Sequence, residues 1–396
     1  MLSYHGESDA LRWERGPHVG DQGAERTTVC HITSVNIPTD GRILYHECRS
    51  LAKRWRTVLV CRDDSDSRTL EGVEIVTMPK RGGRLRRWTE LRAVIALAEA
   101  QGADLYHFHN IELVPAMARF ARRAGVPVVY DSHEHHPDAM LTKTYIPAPL
   151  RRLTAWWVDR TERRYVPRFD AVVVADEALE RRYAEFGARR VVRLDNFPPL
   201  DLFAPGVGTP PGTPTLLYVG SISEVRGFDE MLETIRLVRE ELPSATLVLV
   251  GTPTEEVAAR LSELDATAGV TLLPPVPYGE IVGVMQSAHV GLSLLQDIPK
   301  FQKNVPTKVF DYMASGIPYV STDLTPVRTL TGGVGGALVP PGDAKAAAEA
   351  ALAFLRDPDR ARGAAREGRA LIEQRLNWDA LMPRLTALYE DLLGGK

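Results

Sequence analysis

From Thr28 onward the chain alternates short, almost continuous apolar runs with longer stretches whose apolar residues recur every three or four positions. The short runs predict strands over Thr28–Ser34, Thr57–Cys61, Val73–Met78, Leu105–His109, Pro127–Ser132, Ala171–Ala175 and Val191–Leu194. Between most of them lie segments with helical spacing, such as Leu91–Ala100 and Pro115–Arg123. Strand–helix alternation with apolar strands implies a parallel sheet covered on both faces. The rhythm breaks at Asn196–Pro214, where six prolines and three glycines leave no room for a regular element and predict a linker. It restarts with strands over Thr215–Gly220, Thr246–Gly251, Val270–Leu273, Val290–Leu295, Pro318–Thr322 and Ala337–Val339. From Asp343 the chain reads as helical, and Trp378, Leu381, Leu385, Leu388 and Leu392 share one face of its last helix. The fold class is α/β, with two consecutive doubly wound domains. Residues 1–26 are expected to form a polar, flexible tail, with domains over 27–200 and 201–375. A closing helix is expected over 376–396.

A length of 396 residues exceeds what one core usually supports, in keeping with two domains. The apolar fraction of 44% and charged fraction of 25% exclude a disordered or fibrous chain. No apolar run approaches a bilayer span, and the stretch from Met1 to Arg26 lacks the apolar core of a signal peptide. These features predict a cytoplasmic protein, with peripheral contact at the inner membrane face left open. Cys30, Cys48 and Cys61 fit neither a disulfide framework nor a zinc site and read as small buried hydrophobes. A net charge of −3 argues against nucleic acid as a partner. The charge is uneven, with 31 Lys and Arg against 27 Asp and Glu through residue 200, and 17 against 24 beyond it.

Open α/β sheets bind ligands at the carboxyl ends of their strands, so chemistry is sought just after each strand. After Leu216–Val219 come Gly220, Ser221 and, before a helix opening near Gly227 and Phe228, Arg226. Small residues let a backbone approach a ligand, free N–H groups at a helix entrance suit phosphate, and Arg226 adds forked donors. A tight turn with a surface arginine is the competing reading. In Val305-Pro306-Thr307-Lys308 through Asp311 to Gly316, Thr307 is expected to cap a short helix that Gly316 ends. Lys308 and Asp311, three apart, share a face; a cation there suits phosphate and the carboxylate suits ribose hydroxyls. A solvent-exposed Lys–Asp pair is the plainer alternative. After Val128–Ser132 come His133, Glu134, His135 and His136, with His107 and His109 at the end of the neighbouring strand expected to line the same cleft. A histidine donating to a sugar hydroxyl or to a leaving phosphate is the favoured reading. Metal ligation is disfavoured, because zinc ligands usually come from separated elements and no second cluster is evident. Finally, Arg151, Arg152, Trp156, Trp157, Arg160, Arg163, Arg164 and Arg168 could mark a membrane-interface helix, but tryptophans packed under a domain are the simpler reading.

Taken together these motifs resemble the retaining GT-B glycosyltransferases of family 4, over roughly residues 27–395. Tyr218-Val219-Gly220 with Arg226-Gly227 is similar to that family's phosphate-binding turn, and Asn304–Gly316 to its nucleotide-sugar helix. Gly335–Asp343 and Trp378 with Leu388-Tyr389 and Leu392 also match family stretches. The stretch from His31 through Asp40-Gly41-Arg42 to Glu47-Cys48-Arg49 resembles members that build bacterial cell-surface polysaccharides, and glycosylated metabolites are a further product class. The resemblance implies two Rossmann-like domains facing across a cleft, the N-terminal one for the acceptor and the C-terminal one for a nucleotide-sugar. It also implies that the closing helix packs back on the first domain. It places His133 at the donor sugar near the transferred carbon. Arg226 stands where the family has a diphosphate-binding Lys, Asp311 where a glutamate holds the ribose, and Val276 where a backbone meets the base. Lys303 replaces the first glutamate of the family pair, Ser221 replaces an arginine, and Thr39-Asp40-Gly41-Arg42 replaces a glycine-rich loop.

The expected function is therefore retaining transfer of a sugar from a UDP- or GDP-sugar to a hydroxyl of a saccharide or small molecule, by a front-face route. His133, Arg226 and Lys308 are the catalytic candidates. Gly220, Ser221, Val276, Thr307 and Asp311, again with Arg226 and Lys308, are the donor-binding candidates. Gly41, Arg42, His109 and Glu134 are placed on the acceptor side. No cofactor and no metal are expected. An inactive GT-B partner subunit and a GT-B sugar-nucleotide epimerase are the rival readings.

Overall fold

The computed structural model describes residues 26–80, 84–143, 146–204, 206, 212–265 and 268–394. The polar stretch expected to be a tail lies outside them but for Arg26, as does part of the expected linker. Two sheets carry the fold. The first contains β1 (Thr28–Ile32), β2 (Arg56–Arg62), β3 (Arg68–Leu70), β4 (Val73–Met78), β5 (Leu105–Phe108), β6 (Val128–Ser132), β7 (Ala171–Val174) and β8 (Val191–Arg193). Their order is β3-β4-β2-β1-β5-β6-β7-β8, parallel except for the β3–β4 pair. The second contains β9 (Thr215–Val219), β10 (Thr246–Val250), β11 (Val270–Leu273), β12 (Val290–Ser293), β13 (Tyr319–Thr322) and β14 (Gly336–Val339), all parallel, in the order β11-β10-β9-β12-β13-β14. Every residue of β1, β5, β6, β7, β12 and β13 is buried, as expected of central parallel strands covered on both faces. In each sheet the strand order reverses beside the first strand, between β1 and β5 and between β9 and β12. Crevices at such reversals are where doubly wound sheets take ligands.

The expected strands agree with those observed to within about two residues at each end, and one is new. The edge strand β3, Arg-Thr-Leu, has no apolar pattern and is held by antiparallel pairing to β4 across a turn in which Glu71 and Gly72 have positive φ.

The last helix, Trp378–Gly394, returns to the first sheet. Trp378 Nε1 donates to Ser50 Oγ at 2.9 Å, and the Tyr389 hydroxyl lies 2.8 Å from His107 Nδ1. Its residues Trp378, Leu381, Leu385, Leu388 and Tyr389 are buried in one core with Val29, Leu105, Val129 and Val173 of the first sheet. That core continues through Phe197 and Phe203 to Phe310 and Tyr312 in the second half of the chain. All three cysteines are buried and free. Among the described residues, no helix is long and apolar enough to cross a membrane.

Candidate active site

On the second sheet, β9 runs into Gly220 (φ +122°), one turn of 3-10 helix over Glu224–Arg226, and Gly227 (φ +85°), which opens the helix Phe228–Glu241. A Cβ at Gly227 would sit 1.9 Å from the Leu294 carbonyl oxygen, so this turn fits against the end of β12 only without a side chain. Ser221 is exposed and Arg226 half-buried. Arg226 hydrogen-bonds the Tyr218 hydroxyl, which itself donates to the Ser221 carbonyl at 2.7 Å.

Lys308 reaches this turn from the helix Thr307–Ser315. Its Nζ lies 3.9 Å from the centroid of the Tyr218 ring, and a Cβ at Gly220 would meet it at 3.7 Å. The plainer reading of Lys308 and Asp311 as a solvent-exposed pair does not hold, since both are buried. Every residue of the helix except Thr307 is buried, because Val309, Phe310, Tyr312, Met313 and Ala314 place apolar side chains around its whole circumference. Burial, reinforced by the nearby Arg226 guanidinium and only partly offset by Asp311, pushes the Lys308 ammonium well below its ordinary range. Burial likewise raises the Asp311 carboxyl to about 7, against the opposing hydrogen bond from Tyr278 and the charge of Lys308. The expected Thr307 cap is also absent. Pro306 occupies the cap position and Thr307 is the first helical residue, while Gly316 ends the helix at φ +75° as expected.

Tyr278 carries no role in the sequence reading, yet it joins the two halves. Its hydroxyl donates to Asp311 Oδ1 at 3.2 Å, and its ring lies 5.7 Å from that of Tyr45 and 5.5 Å from that of His46. Gly41 packs against the same ring, where a Cβ would come within 3.3 Å. Val276, two residues earlier, is half-buried in the loop entering this contact.

In the first sheet, β6 carries Asp131 and leads directly into His133. Arg42 grips Asp131 with Nε at 3.1 Å and Nη2 at 2.9 Å from Oδ2, and its Nη1 donates to the carbonyl of Leu194 at 2.9 Å. This fixed, buried position removes Arg42 from an open acceptor surface. The residue stands in a buried π-helix over Gly41–Cys48, whose entrance Asp40 caps by accepting from the Ile43 N–H. His133 Nδ1 lies 3.3 Å from Asp131 Oδ1 and the side chain is 24% exposed. Burial lowers the basicity of this imidazole, but the hydrogen bond to Asp131 and the carboxylate charge outweigh it and raise its pKa.

The other histidines part company. His135 pairs with Asp176 at 3.4 Å and His136 with Glu162 at 3.0 Å. His107 and His109, expected to line the cleft, are fully buried behind it, because they point with His31 into the space between sheet and π-helix. That grouping is also the second cluster of ligating residues that the sequence did not reveal. Glu134 is not free on the acceptor side. Lys300 Nζ lies 3.3 Å from its Oε1, and Lys303 pairs with Asp138 at 2.6 Å, so two ion pairs cross the cleft. Trp156 and Trp157, expected beneath a domain, are instead 58% and 47% exposed, near exposed Leu150 and Leu153 on the helix Ala148–Tyr165. The opposite side of that helix, with Ala155, Val158, Thr161 and Glu162, is the one that faces the protein.

With both halves of the cleft described, comparison with known proteins decides the family. Residues 41–196 match the glycosyl transferase 4-like domain and residues 213–357 match glycosyl transferases group 1, together most of the chain. The chain is a glycosyltransferase, with a 4-like domain in its first half and a group 1 domain in its second. Among solved structures, this glycosyltransferase is similar to sucrose-phosphate synthase from Thermosynechococcus elongatus (TM-score 0.72, 18% identity, 94% of this chain and 100% of that one). It is also similar to HepE from Anabaena in complex with UDP and glucose (TM-score 0.69, 15% identity, 92% and 100%). These likenesses establish the GT-B fold. Curated relatives include the D-inositol 3-phosphate glycosyltransferases of Segniliparus rotundus (25% identity over 69% of this chain) and Thermobispora bispora (27% over 68%). The chain spans 63% and 66% of the length of these two relatives.

Proposed function

We propose that this glycosyltransferase moves a sugar from a nucleoside-diphosphate sugar to a hydroxyl of a saccharide or small-molecule acceptor, with retention and with no metal ion at the donor diphosphate. The observation that carries this reading is the burial of Lys308 against the Gly220 turn beside Arg226. A buried ammonium with a second cation beside it is poorly solvated and awaits an anion. Asp311, held by Tyr278 one turn further along the helix, is placed to accept from ribose hydroxyls. HepE, a structural neighbour solved with UDP and with UDP-glucose, supports a UDP-sugar as donor.

In this mechanism the anomeric carbon–oxygen bond breaks with its electron pair passing to the departing diphosphate. Arg226 and Lys308 stabilise that charge. The acceptor oxygen bonds to the same face of the sugar, and its proton passes to the departing phosphate oxygen. His133, oriented by Asp131, donates to the sugar from the opposite wall. The exposed Leu150, Leu153, Trp156 and Trp157 with flanking arginines support a peripheral contact with an anionic membrane surface.

The test is thermal stability of the full chain with UDP, GDP, dTDP, ADP and CMP, with and without EDTA. A ligand bound only by the folded state raises its stability by mass action. A stabilising nucleoside diphosphate unaffected by EDTA is expected, together with a His133→Ala variant that binds it equally but loses transfer. Absence of stabilisation by every nucleotide overturns the reading in favour of a non-transferring subunit.

A further inference from the structure

Behind Asp131 lies a group of side chains that the transfer step leaves unused. His31 and His107 are register partners on the adjacent strands β1 and β5, so their side chains leave the same face of the sheet side by side. His109, two residues on, joins that face, and Glu47 descends onto it from the π-helix Gly41–Cys48. All four are fully buried. His31 Nδ1 and His109 Nε2 are 2.9 Å apart, and Glu47 Oε2 lies 3.7 Å from His31 Nδ1 and 3.8 Å from both His107 Nδ1 and His109 Nε2. Four ligand atoms thus surround one point, each within 4.8 Å of the others. A tetrahedral zinc ion with bonds of about 2.0–2.1 Å separates its ligands by roughly 3.3 Å, which these atoms reach by sub-ångström shifts.

Two further observations point to a ligand. Glu47 Oε2, the carboxylate oxygen that points at the three imidazoles, makes no hydrogen bond although it is shielded from solvent. Such unpaired groups are costly unless a partner satisfies them. One outward nitrogen also has the partner that a metal-bound imidazole takes. His31 Nε2 lies 3.1 Å from the Tyr389 hydroxyl, while His107 Nε2 and His109 Nδ1 lie 3.8 and 3.9 Å from Asp131 Oδ2, within its charge but beyond a hydrogen bond. A hydroxyl in that position orients a ligating histidine. Arg42 Nε lies 3.1 Å from Glu47 Oε1, which leaves Oε2 for an ion.

We propose that His31, Glu47, His107 and His109 bind one divalent transition-metal ion, zinc by the chemistry of three imidazoles and a carboxylate. The ion sits in the N-terminal half, away from the donor diphosphate, and fixes the floor on which Asp131 holds His133. This inference rests on the geometry of the four side chains and not on the proposed transfer reaction.

The experiment is elemental analysis of untagged, full-length protein purified without chelator, followed by exchange into Co2+. The expected result is about one zinc per chain, with the visible absorption bands of four-coordinate cobalt after exchange. The Glu47→Gln and His109→Asn variants are expected to lose at least tenfold in metal affinity, and chelation to lower the unfolding temperature of the wild type while its stabilisation by UDP persists. Wild-type protein that stays below about a tenth of an equivalent of any transition metal after zinc incubation, with no cobalt bands, overturns the proposal. Because that measurement needs no variant, misfolding of the substituted chains does not blunt it. UDP binding with no metal refutes the ion alone, and metal without nucleotide binding refutes the donor reading alone.

Discussion

Replacing Lys308 by Met should separate nucleotide affinity from stability, and with opposite signs. The ammonium is buried beside the Tyr218 ring and the Arg226 guanidinium, a setting that depresses its pKa well below the ordinary lysine range. An unfolded chain binds a proton there that the folded one resists, so the side chain subtracts from stability at neutral pH. Stability then rises with pH through the window between the depressed folded pKa and the ordinary unfolded one. Methionine of similar length removes that penalty, so the free variant should melt at the same temperature as wild type or higher. A diphosphate beside Lys308 reverses the balance, since its charge draws the proton back onto the amine. Loss of one hydrogen bond to a charged group costs about 1.5–3 kcal/mol, and UDP should therefore bind roughly 10- to 150-fold more weakly. Calorimetry in two buffers of different ionisation enthalpy should show proton uptake on UDP binding by wild type and less by Lys308→Met. Wild-type affinity should fall as pH rises through the window between the free and bound lysine pKa values. UDP affinity within about twofold of wild type, or a variant that unfolds earlier and binds equally well, would refute the assignment of Lys308 to the diphosphate.

Gly227→Ala forces a Cβ to 1.9 Å from the Leu294 carbonyl at a positive φ, and should cost at least about 3 kcal/mol in urea unfolding while also abolishing stabilisation by UDP. Asp311 has its folded pKa raised to about 7, so the folded state holds a proton that the unfolded state releases between pH 4 and 7. Wild-type stability should therefore fall relative to Asp311→Asn as pH rises across that window, by at most ~4 kcal/mol. Parallel pH profiles for the two proteins would show that Asp311 ionises as it would in water.

The strands were legible because each central one is an apolar run of four or five residues bounded by polar or glycine-rich turns, as in Thr215–Val219 before Gly220. Strand β3 was not, since its pairing is set by its neighbour β4 and not by its own Arg-Thr-Leu sequence. The Gly220–Gly227 turn and the end of the helix Thr307–Ser315 were readable from their glycines. The burial of Lys308 and Asp311 followed from the apolar residues all around their helix, a signal present in Val309–Ala314 and outweighed by the charges. Tyr278 and Tyr389 acquire their roles only through contacts with residues 33 to 358 positions away, which no local pattern encodes. His107 and His109 were placed at the correct strand end and on the wrong side of it. Whether a residue just past a strand faces solvent or interior depends on what packs above, here a π-helix whose seven residues Arg42–Cys48 are all buried.

The return of Trp378–Gly394 to the first sheet has a consequence for how the protein is made. Ribosomes release the N-terminal half first, and domains ordinarily fold in that order. Here the core around Val29, Leu105 and Val173 is completed by Leu381, Leu385 and Leu388, which emerge only after the whole second sheet has been made. The nascent N-terminal half must therefore wait with an apolar seam open, a natural place for a chaperone to hold it. A chain ended before Trp378 would keep every strand of its second sheet while its first half stays vulnerable to proteases. The helix Trp378–Gly394 acts as a seal, admitting to the folded pool only chains long enough to carry it.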